Sequence, residues 1–366
     1  LAFMYDTGSG KSYKGEPTVN VNTLTLSDSG TDGSGQSSVG TRTLITDNHA
    51  RIVDVSSNTR QHHLITGLTA STTYTISIMY KKLGGTPTFR FQIQDYSGSA
   101  YLRTIKFTNT TEIGIEDKEG WQQASWTFTL GSDANAVRIW YQDGADYTTY
   151  SHSFELKNPQ LEAKSHATPF VDGTRSATQG LLDLTKNETI TLSNMSYDSN
   201  AQMSFDGTDD QFLISNPGVG TSFSIETVIK VDNYSNGPIF ISPNSVGIDH
   251  FFRVNSNGTI RAHFVEIADS SSDGYTSTTV LNTGEYYHVV ISKTPSNGTI
   301  YVNGVAEDSH TPTLAAAAWS GAWRIGARWN NTFNLNGELP ILKVYDRDLA
   351  PAEVLQNYNA LKSRFL

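Results

Sequence analysis

Three carboxylates in one short turn are the clearest candidate for chemistry in this sequence. Asp206, Asp209 and Asp210 place three oxygen ligands within five residues. Ca²⁺ takes roughly six to eight oxygen ligands and tolerates the irregular geometry of a loop, so this turn can supply part of a calcium site. The alternative is a plain connection between two strands, for which Asp and Gly are equally typical. The sequence indicates no other metal or cofactor.

A second group of residues has the composition of a sugar-binding surface. It lies in a segment rich in Gly, Ala and Asn and comprises Trp319, Trp323, Arg328, Trp329 and Asn330. Exposed indole rings stack on the apolar faces of sugars, while Arg and Asn form hydrogen bonds with hydroxyl groups. Trp323 alternates with Ile325 as a strand residue does, so core packing and sugar contact both stay open for it. Trp319 and Trp329 flank that strand, and we expect them to be exposed.

The residue spacings that common catalytic sites require are missing. The nine histidines form neither His-x-His nor His-Glu-x-x-His, and there is no cysteine to act as a nucleophile or thiolate ligand. Gly10-Lys11-Ser12 is similar to the end of a phosphate-binding loop, but Tyr5 stands where the first glycine is required. For His288 a packed position is favoured over ligation of a metal. We therefore expect a protein without catalytic activity.

Length and composition favour two all-β domains. A chain of 366 residues is too long for one ordinary sandwich, and 17% charged with 11% aromatic residues is typical of short strands joined by polar turns. The net charge of −10 argues against nucleic acid or an anionic membrane as a partner. No apolar run is long enough to span a membrane, so membrane insertion is not expected.

Period-2 alternation of apolar residues predicts strands over much of the chain. Tyr74, Ile76, Ile78 and Tyr80 alternate with polar or smaller residues, as does the series that begins at Trp126. Three Asn-Gly pairs, at Asn257, Asn297 and Asn303, indicate hairpins. The segment from Pro351 predicts a short amphipathic helix. The predicted fold is therefore two antiparallel β-sandwiches followed by one C-terminal helix.

The first half of the chain resembles a known module. Lys11-Ser-Tyr-Lys-Gly-Glu-Pro-Thr, Ile65-Thr-Gly-Leu-Thr and the closing Asn158-Pro-Gln-Leu-Glu with Ala167-Thr-Pro-Phe resemble the carbohydrate-binding-module-like jelly rolls of bacteriophage virion proteins. The resemblance implies an N-terminal arm over residues 1–19, a jelly roll over 20–172 and a linker over 173–180.

The second half resembles a different sandwich. Met203-Ser-Phe-Asp-Gly-Thr-Asp-Asp, Phe223-Ser-Ile-Glu, Ile300-Tyr-Val-Asn-Gly and Val344-Tyr-Asp-Arg follow the order found in laminin G-like, concanavalin A-like lectin domains. This resemblance covers residues 181–366. The Glu-x-Asp-x-x-Glu motif of the retaining glucanases with that fold is missing.

Together the two resemblances imply a non-catalytic virion protein of a tail fibre, tail tip or capsid decoration. Its expected partners are other virion proteins and host-surface glycans, its expected location is the virion surface or the extracellular space, and homo-oligomers or repeated copies are expected. An extracellular bacterial carbohydrate-binding or adhesion module is the alternative, followed by a glycan-degrading enzyme.

Overall fold

The structure is a computed structural model that describes residues 1–22, 41–53, 60–84, 89–109, 119–143, 153–198, 202–243, 250–265, 272–310 and 321–365. The chain divides into two compact units. One unit comprises Leu1–Pro17 together with Arg175–Leu366, and the other comprises Thr18–Thr174. The second unit is therefore an insertion, in sequence, between two parts of the first.

The strands as far as residue 175 are, in chain order, β1 (Phe3–Asp6), β2 (Thr18–Val19), β3 (Thr41–Thr46), β4 (His49–Val53), β5 (Arg60–Thr66), β6 (Thr73–Gly84), β7 (Phe89–Ser97), β8 (Ala100–Asn109), β9 (Trp121–Thr129), β10 (Ala136–Asp143), β11 (Ser153–Glu162) and β12 (Thr174–Arg175). Two antiparallel sheets build the unit Thr18–Thr174, in the orders β3-β4-β11-β6-β9 and β5-β10-β7-β8. This interleaving of strands that are distant in sequence is a jelly roll.

The core of the jelly roll forms from the predicted alternation. Tyr74, Ile76, Ile78 and Tyr80 of β6 are all buried, and they pack with inward residues of β9 such as Trp126. Because successive side chains of a strand point to opposite faces, each of these strands contributes one apolar row to the space between the sheets.

The remaining elements belong to the other unit and are β13 (Ile190–Ser193), β14 (Ser196–Tyr197), β15 (Met203–Asp206), β16 (Gln211–Ile214), β17 (Phe223–Asn233), β18 (Ile239–Pro243), β19 (Phe251–Val254), β20 (Thr259–Val265), β21 (Ser272–Val280), β22 (Tyr286–Lys293), β23 (Gly298–Val302), β24 (Val305–His310), β25 (Trp323–Ile325), β26 (Asn336–Tyr345) and α1 (Pro351–Phe365). One sheet has the order β13-β16-β25-β18-β19-β20-β21. The other has the order β14-β15-β26-β17-β22-β23-β24, with β1 also paired to β26. The predicted all-β, antiparallel fold with a single C-terminal helix is confirmed for the described residues.

The predicted N-terminal arm is wrong. β1 pairs with β26, with Phe3 opposite Val344 and Tyr5 opposite Leu342, and both aromatic side chains are fully buried in the core of the C-terminal sandwich. Apolar burial of two large rings and a complete ladder hold these residues, whereas an arm would leave them in water.

The predicted linker over 173–180 also differs from the structure. The boundary falls between Thr174 and Arg175, and the end of the segment is held within the sandwich unit. There Lys14 donates its backbone N–H to the carbonyl oxygen of Gly180 at 2.8 Å. An added Cβ on Gly180 would lie 2.7 Å from a backbone oxygen, so only glycine fits this close approach.

Helix α1 begins at a well-formed N-terminus. Pro351 occupies the first helical position, where a missing N–H costs nothing, and the Glu353 carboxylate accepts the N–H of Ala350 at 2.9 Å. Val354 is the fully buried residue of the helix, and Arg364 near its end donates to Asp6 of β1 at 2.7 Å. Within the described residues no helix combines the length and hydropathy that a membrane crossing requires.

A buried carboxylate connects α1 to its sheet. Glu226 of β17 is fully buried and accepts hydrogen bonds from His288 Nε2 at 3.2 Å and from Lys343 Nζ, Tyr345 OH and Asn357 Nδ2, each at 2.8 Å. Burial alone raises the pKa of Glu226, but the bonds from His288 and Lys343 and their charges outweigh it and lower the pKa from 4.5 to about 2. Asn357 is the helix residue among these donors.

We predict that Glu226→Gln destabilises the protein by about 3–5 kcal/mol, because it leaves buried donors, one of them charged, without their acceptor. Because the folded-state pKa is depressed, the stabilisation from Glu226 is complete above the unfolded value near 4.5 and is lost as pH falls towards 2. Denaturant titrations between pH 3 and pH 7 measure both effects. The matched control is Glu353→Gln at an exposed ion pair, for which we expect a much smaller loss; equal losses for the two variants would contradict the prediction.

Candidate functional site

The loop 326–335 joins β25 to β26, and both of its ends are fixed on the sandwich. Gly326 donates its N–H to the carbonyl oxygen of Phe240 at 3.1 Å and accepts the N–H of Leu335 at 2.8 Å. Gly326 has a φ of 90°, and an added Cβ would lie 2.2 Å from a ring carbon of Phe205. A residue with a side chain does not fit here, so the entry to the loop requires glycine.

Two backbone hydrogen bonds close the tip of the loop. Asn331 donates to the carbonyl oxygen of Arg328 at 2.9 Å, and Arg328 donates to the carbonyl oxygen of Thr332 at 3.0 Å. Asn331 and Phe333 have φ values of 58° and 55°. For a residue as large as Phe333 this left-handed conformation is uncommon, and such strain is retained where surrounding contacts hold the chain. The tip is therefore a defined turn.

The tip presents aromatic, cationic and amide groups together. The guanidinium carbon of Arg328 lies 5.8 Å from the ring centre of Phe333, whose side chain is 38% exposed. Trp329 is half-buried and Asn330 is exposed. Flat apolar rings beside hydrogen-bonding groups are the components with which proteins bind sugars.

Of the five residues predicted for glycan binding, the structure brings Arg328, Trp329 and Asn330 together in this loop. Trp319 lies outside the described residues. Trp323 is a correction: it is fully buried and belongs to the sandwich core. Its strand β25 lies between β16 and β18, and the same alternation that pairs Trp323 with Ile325 turns both side chains inward, so the indole is not available to a ligand.

Phe333 is a tip residue that the sequence analysis missed. It follows Trp329 by four residues in an Asn-rich loop, and that combination of an aromatic residue with turn-forming neighbours is the signal that could have found it.

The acidic turn lies between β15 and β16. Ligand oxygens of Asp206, Asp209 and Asp210 all lie within 4.8 Å of one another. The backbone N–H of Asp206 donates to Asp210 Oδ2 at 2.7 Å, and Asn194 Nδ2 donates to Asp209 Oδ2 at 2.8 Å. Some carboxylate oxygens are thus engaged in forming the turn, as expected of a strand connection.

One oxygen of the turn and one of the neighbouring loop 326–335 have chemistry that suits a hard cation. Asp210 is buried, and its Oδ1 has no hydrogen-bond partner among the described residues; the same holds for Oδ1 of Asn334. Burial raises the pKa of Asp210, although a hydrogen bond involving Ser196 opposes the shift. An all-oxygen donor set with an unsatisfied buried carboxylate oxygen matches the chemistry of Ca²⁺.

The acidic turn and the loop 326–335 are in contact. Asn334 of the loop donates its Nδ2 to the carbonyl oxygen of Thr208, and Asn336, the first residue of β26, donates to the carbonyl oxygen of Asp206 at 3.2 Å. A cation held by the turn would therefore act on residues that position the base of the loop.

Residues 206–355 match the sequence model of the concanavalin A-like lectin/glucanases superfamily. The sandwich to which this segment belongs has the concanavalin A-like fold. The segment contains the acidic turn, the loop 326–335 and the start of α1. No curated protein matches the sequence.

Similar solved structures include toxin domains and a pentraxin. The botulinum neurotoxin serotype D binding domain matches with 12% identity and a TM-score of 0.40, over 50% of this chain and 49% of the toxin chain. A structure of botulinum neurotoxin type C, whose cell entry depends on interaction with two ganglioside molecules, matches with 14% identity and a TM-score of 0.40, over 51% and 50%. The heptameric SAP-like pentraxin of Limulus polyphemus matches with 20% identity and a TM-score of 0.33, over 42% and 78%. The chain spans about half the length of the toxin domains.

We predict that Ca²⁺ stabilises the protein and that Asp210→Asn removes this effect. A ligand at roughly 100 times its Kd adds about 2.7 kcal/mol to the free energy of unfolding. Without the metal, Asp210→Asn should be at least as stable as the wild type at neutral pH. The pKa of Asp210 is higher in the folded state than the unfolded value of 3.8. Its stabilising contribution is therefore complete below pH 3.8 and is lost as the pH rises through the folded-state pKa.

Thermal unfolding of the wild type and of Asp210→Asn, with Ca²⁺ or with a chelator, measures the stabilisation by the metal and the metal-free stability of the variant. Asp232→Asn, at an exposed carboxylate, is the matched control and should keep the full response to Ca²⁺. An unchanged melting temperature of the wild type in millimolar Ca²⁺ would rule out the site.

Proposed function

We propose that this protein is a non-catalytic glycan-binding protein and that the loop 326–335 contacts the sugar. The observation that carries the proposal is the grouping of Arg328, Trp329, Asn330 and Phe333 at one closed, accessible tip. The concanavalin A-like fold is compatible with lectins and enzymes alike, so the residues of the site have to decide between them.

Each group at the tip has a role in this proposal. Trp329 and Phe333 provide apolar surfaces for the C–H faces of a pyranose ring, and Arg328 and Asn330 form hydrogen bonds with its hydroxyl groups. Because the tip is closed by its own backbone hydrogen bonds, little conformational entropy is lost when a ligand binds.

The absence of catalysis is part of the proposal. Glu226, with His288, Lys343 and Tyr345, is a cluster of acid-base groups in the domain, but it is buried beneath α1 and its carboxylate accepts four hydrogen bonds. General acid-base catalysis requires a group within hydrogen-bond reach of the substrate. The cluster has instead the contacts of a structural anchor for the helix.

We further propose that the protein belongs to the surface of a virus particle, as a tail-fibre, tail-tip or capsid-decoration component. The support is the similarity of residues 11–20 and 158–175 to segments of bacteriophage virion proteins. Repeated copies fit this role, because several weak glycan contacts on one surface multiply through their effective concentration. An extracellular bacterial adhesion module is the alternative.

We predict that Trp329→Ala weakens glycan binding by about 1–3 kcal/mol, the loss typical of an interface anchor, with little change in melting temperature. Trp323→Ala should instead destabilise the fold by about 3–5 kcal/mol, because it empties a core position. An array of bacterial surface polysaccharides, probed with and without Ca²⁺, measures binding, and thermal unfolding measures stability.

The matched control is Leu355→Ala, which removes an exposed apolar side chain from the same unit. It should leave binding unchanged. Incubation with the wild type should cleave no polysaccharide of the array, so the number of reducing ends should not increase. Wild-type protein that binds no glycan in either condition would overturn the glycan-binding proposal, and release of reducing ends would overturn the non-catalytic part.

For the virion proposal we expect copurification with virus particles and a homo-oligomer in light scattering. A protein that is monomeric at micromolar concentration and is found with bacterial cell surfaces instead of particles would favour the adhesion module.

A further inference from the structure

Two neighbouring strands of the seven-stranded sheet carry an unusual group of side chains on the face away from the core. Phe252 and Val254 of β19 and Ala262 of β20 are buried in the core. The side chains of opposite parity lie on the outer face and are all half-buried. We call this group the arginine patch; it comprises Phe251, Arg253, Arg261 and His263.

The register of the two strands sets two arginines directly opposite each other. Arg253 pairs with Arg261 in the β19-β20 ladder, and burial, with a smaller effect from the charge of Arg261, lowers the pKa of Arg253. Like charges placed opposite each other on one face of a sheet destabilise the pairing. An anion between the two guanidinium groups would remove this repulsion.

Neither arginine has a carboxylate partner among the described residues. Arg253 Nε donates to Asn255 Oδ1 at 2.8 Å, and Arg261 Nη2 donates to His263 Nδ1 at 3.4 Å. Nε is the Arg253 donor used there, so within the described part of the chain the two terminal nitrogens of Arg253 are left for a ligand. A guanidinium only donates, so Nδ1 of His263 is the acceptor in the second contact.

Four other arginines among the described residues form ion pairs with acids. Ion pairs join Arg51 to Glu155, Arg103 to Asp133, Arg347 to Glu353 and Arg364 to Asp6. The protein also has ten more acidic than basic residues, 36 against 26, so carboxylates are plentiful. Arg253 and Arg261 face each other without such an acid among the described residues, although acids outnumber bases in the sequence.

Glycines allow the guanidinium groups to lie close to the sheet. A Cβ added to Gly274 of β21 would lie 3.3 Å from Arg261 Nη2, and one added to Gly237 would lie 3.6 Å from the Arg253 guanidinium carbon. Arginines that lie against a sheet keep less rotamer freedom than fully solvated ones, so less is lost when they bind a ligand.

An aromatic pair completes the patch. The rings of Phe251 and His263 stack across the ladder at 4.5 Å between centres and 19° between planes. The guanidinium carbon of Arg253 lies 5.6 Å from the Phe251 ring centre. Flat rings directly beside two cations combine a surface for sugar C–H groups with a site for a charged substituent.

The patch and the loop 326–335 are separated by one strand. Ile239 of β18 is the ladder partner of Arg253, and its N–H donates to the carbonyl oxygen of Phe333 at 2.8 Å. An oligosaccharide that lies across β18 could therefore contact both.

We propose that the arginine patch binds the carboxylate of an acidic saccharide, with Arg253 and Arg261 holding the charged group and Phe251 and His263 lying against the sugar ring. This inference rests on the proposed glycan binding and names its ligand class: a saccharide that contains uronic acid or another carboxylated sugar. Two guanidinium groups suit a carboxylate because each offers donors in a planar fork.

The test measures binding of the full chain to three probes: oligogalacturonate as the carboxylated glycan, dextran sulfate as the sulfated one and dextran as the neutral one. The variant Arg253→Gln/Arg261→Gln should weaken oligogalacturonate binding at least tenfold and leave the melting temperature unchanged or slightly higher. Lys11→Gln/Lys82→Gln removes the same charge from two exposed lysines and should bind like the wild type. The expected affinity of the wild type for oligogalacturonate falls as salt is added.

The outcomes separate this inference from the proposed function. Wild-type binding to neutral glycans with none to oligogalacturonate would overturn the acidic-saccharide assignment and leave the glycan-binding proposal intact. Binding to dextran sulfate alone would overturn the carboxylate assignment. Equal weakening in the arginine and lysine variants would show that net charge, not the patch, attracts the ligand. Binding to no probe and to no array glycan would overturn both proposals.

Discussion

The ladder between β1 and β26 is the constraint on which the C-terminal sandwich depends. It brings Phe3 and Tyr5 into the core, where the hydroxyl of Tyr5 donates to the carbonyl oxygen of Leu339 at 2.8 Å. On its other side β26 pairs with β17, the strand whose Glu226 accepts a hydrogen bond from α1. The loop 326–335 ends where β26 begins. The position of the candidate sugar contact therefore follows from the same strand that joins residues from opposite ends of the sequence.

Much of the fold could be predicted from the sequence because sandwich strands have one face in a core. The alternation in β6, with Tyr74 to Tyr80 inward, is strong enough to be read locally. The role of β1 could not be read in this way. Four residues with two aromatic rings are compatible with either an arm or a strand, and the partner that decides between them is β26, far away in the sequence.

The candidate site was predictable in composition but only partly in geometry. Indoles, Arg and Asn concentrated near residue 329 indicated the loop, yet strand parity places Trp323 inside. The arginine patch depends on the register of β19 and β20, which sets Arg253 opposite Arg261. The turn that contains Asn257-Gly258 joins these strands, so the hairpin itself could be predicted from the sequence. The register, which decides which side chains lie opposite each other, could not.

The discontinuous sandwich has a consequence for synthesis on the ribosome. β1 is translated about 340 residues before its partner β26, a delay of roughly 20–70 s at roughly 5–20 residues per second. The jelly roll of Thr18–Thr174 is complete long before that and has its own core, so it can fold first. During the wait Phe3 and Tyr5 have no partner strand, and the nascent chain carries two large rings in water. Closure of the sandwich is thus a late step, and until it occurs the exposed rings of β1 are apolar surface that can make contacts with other chains.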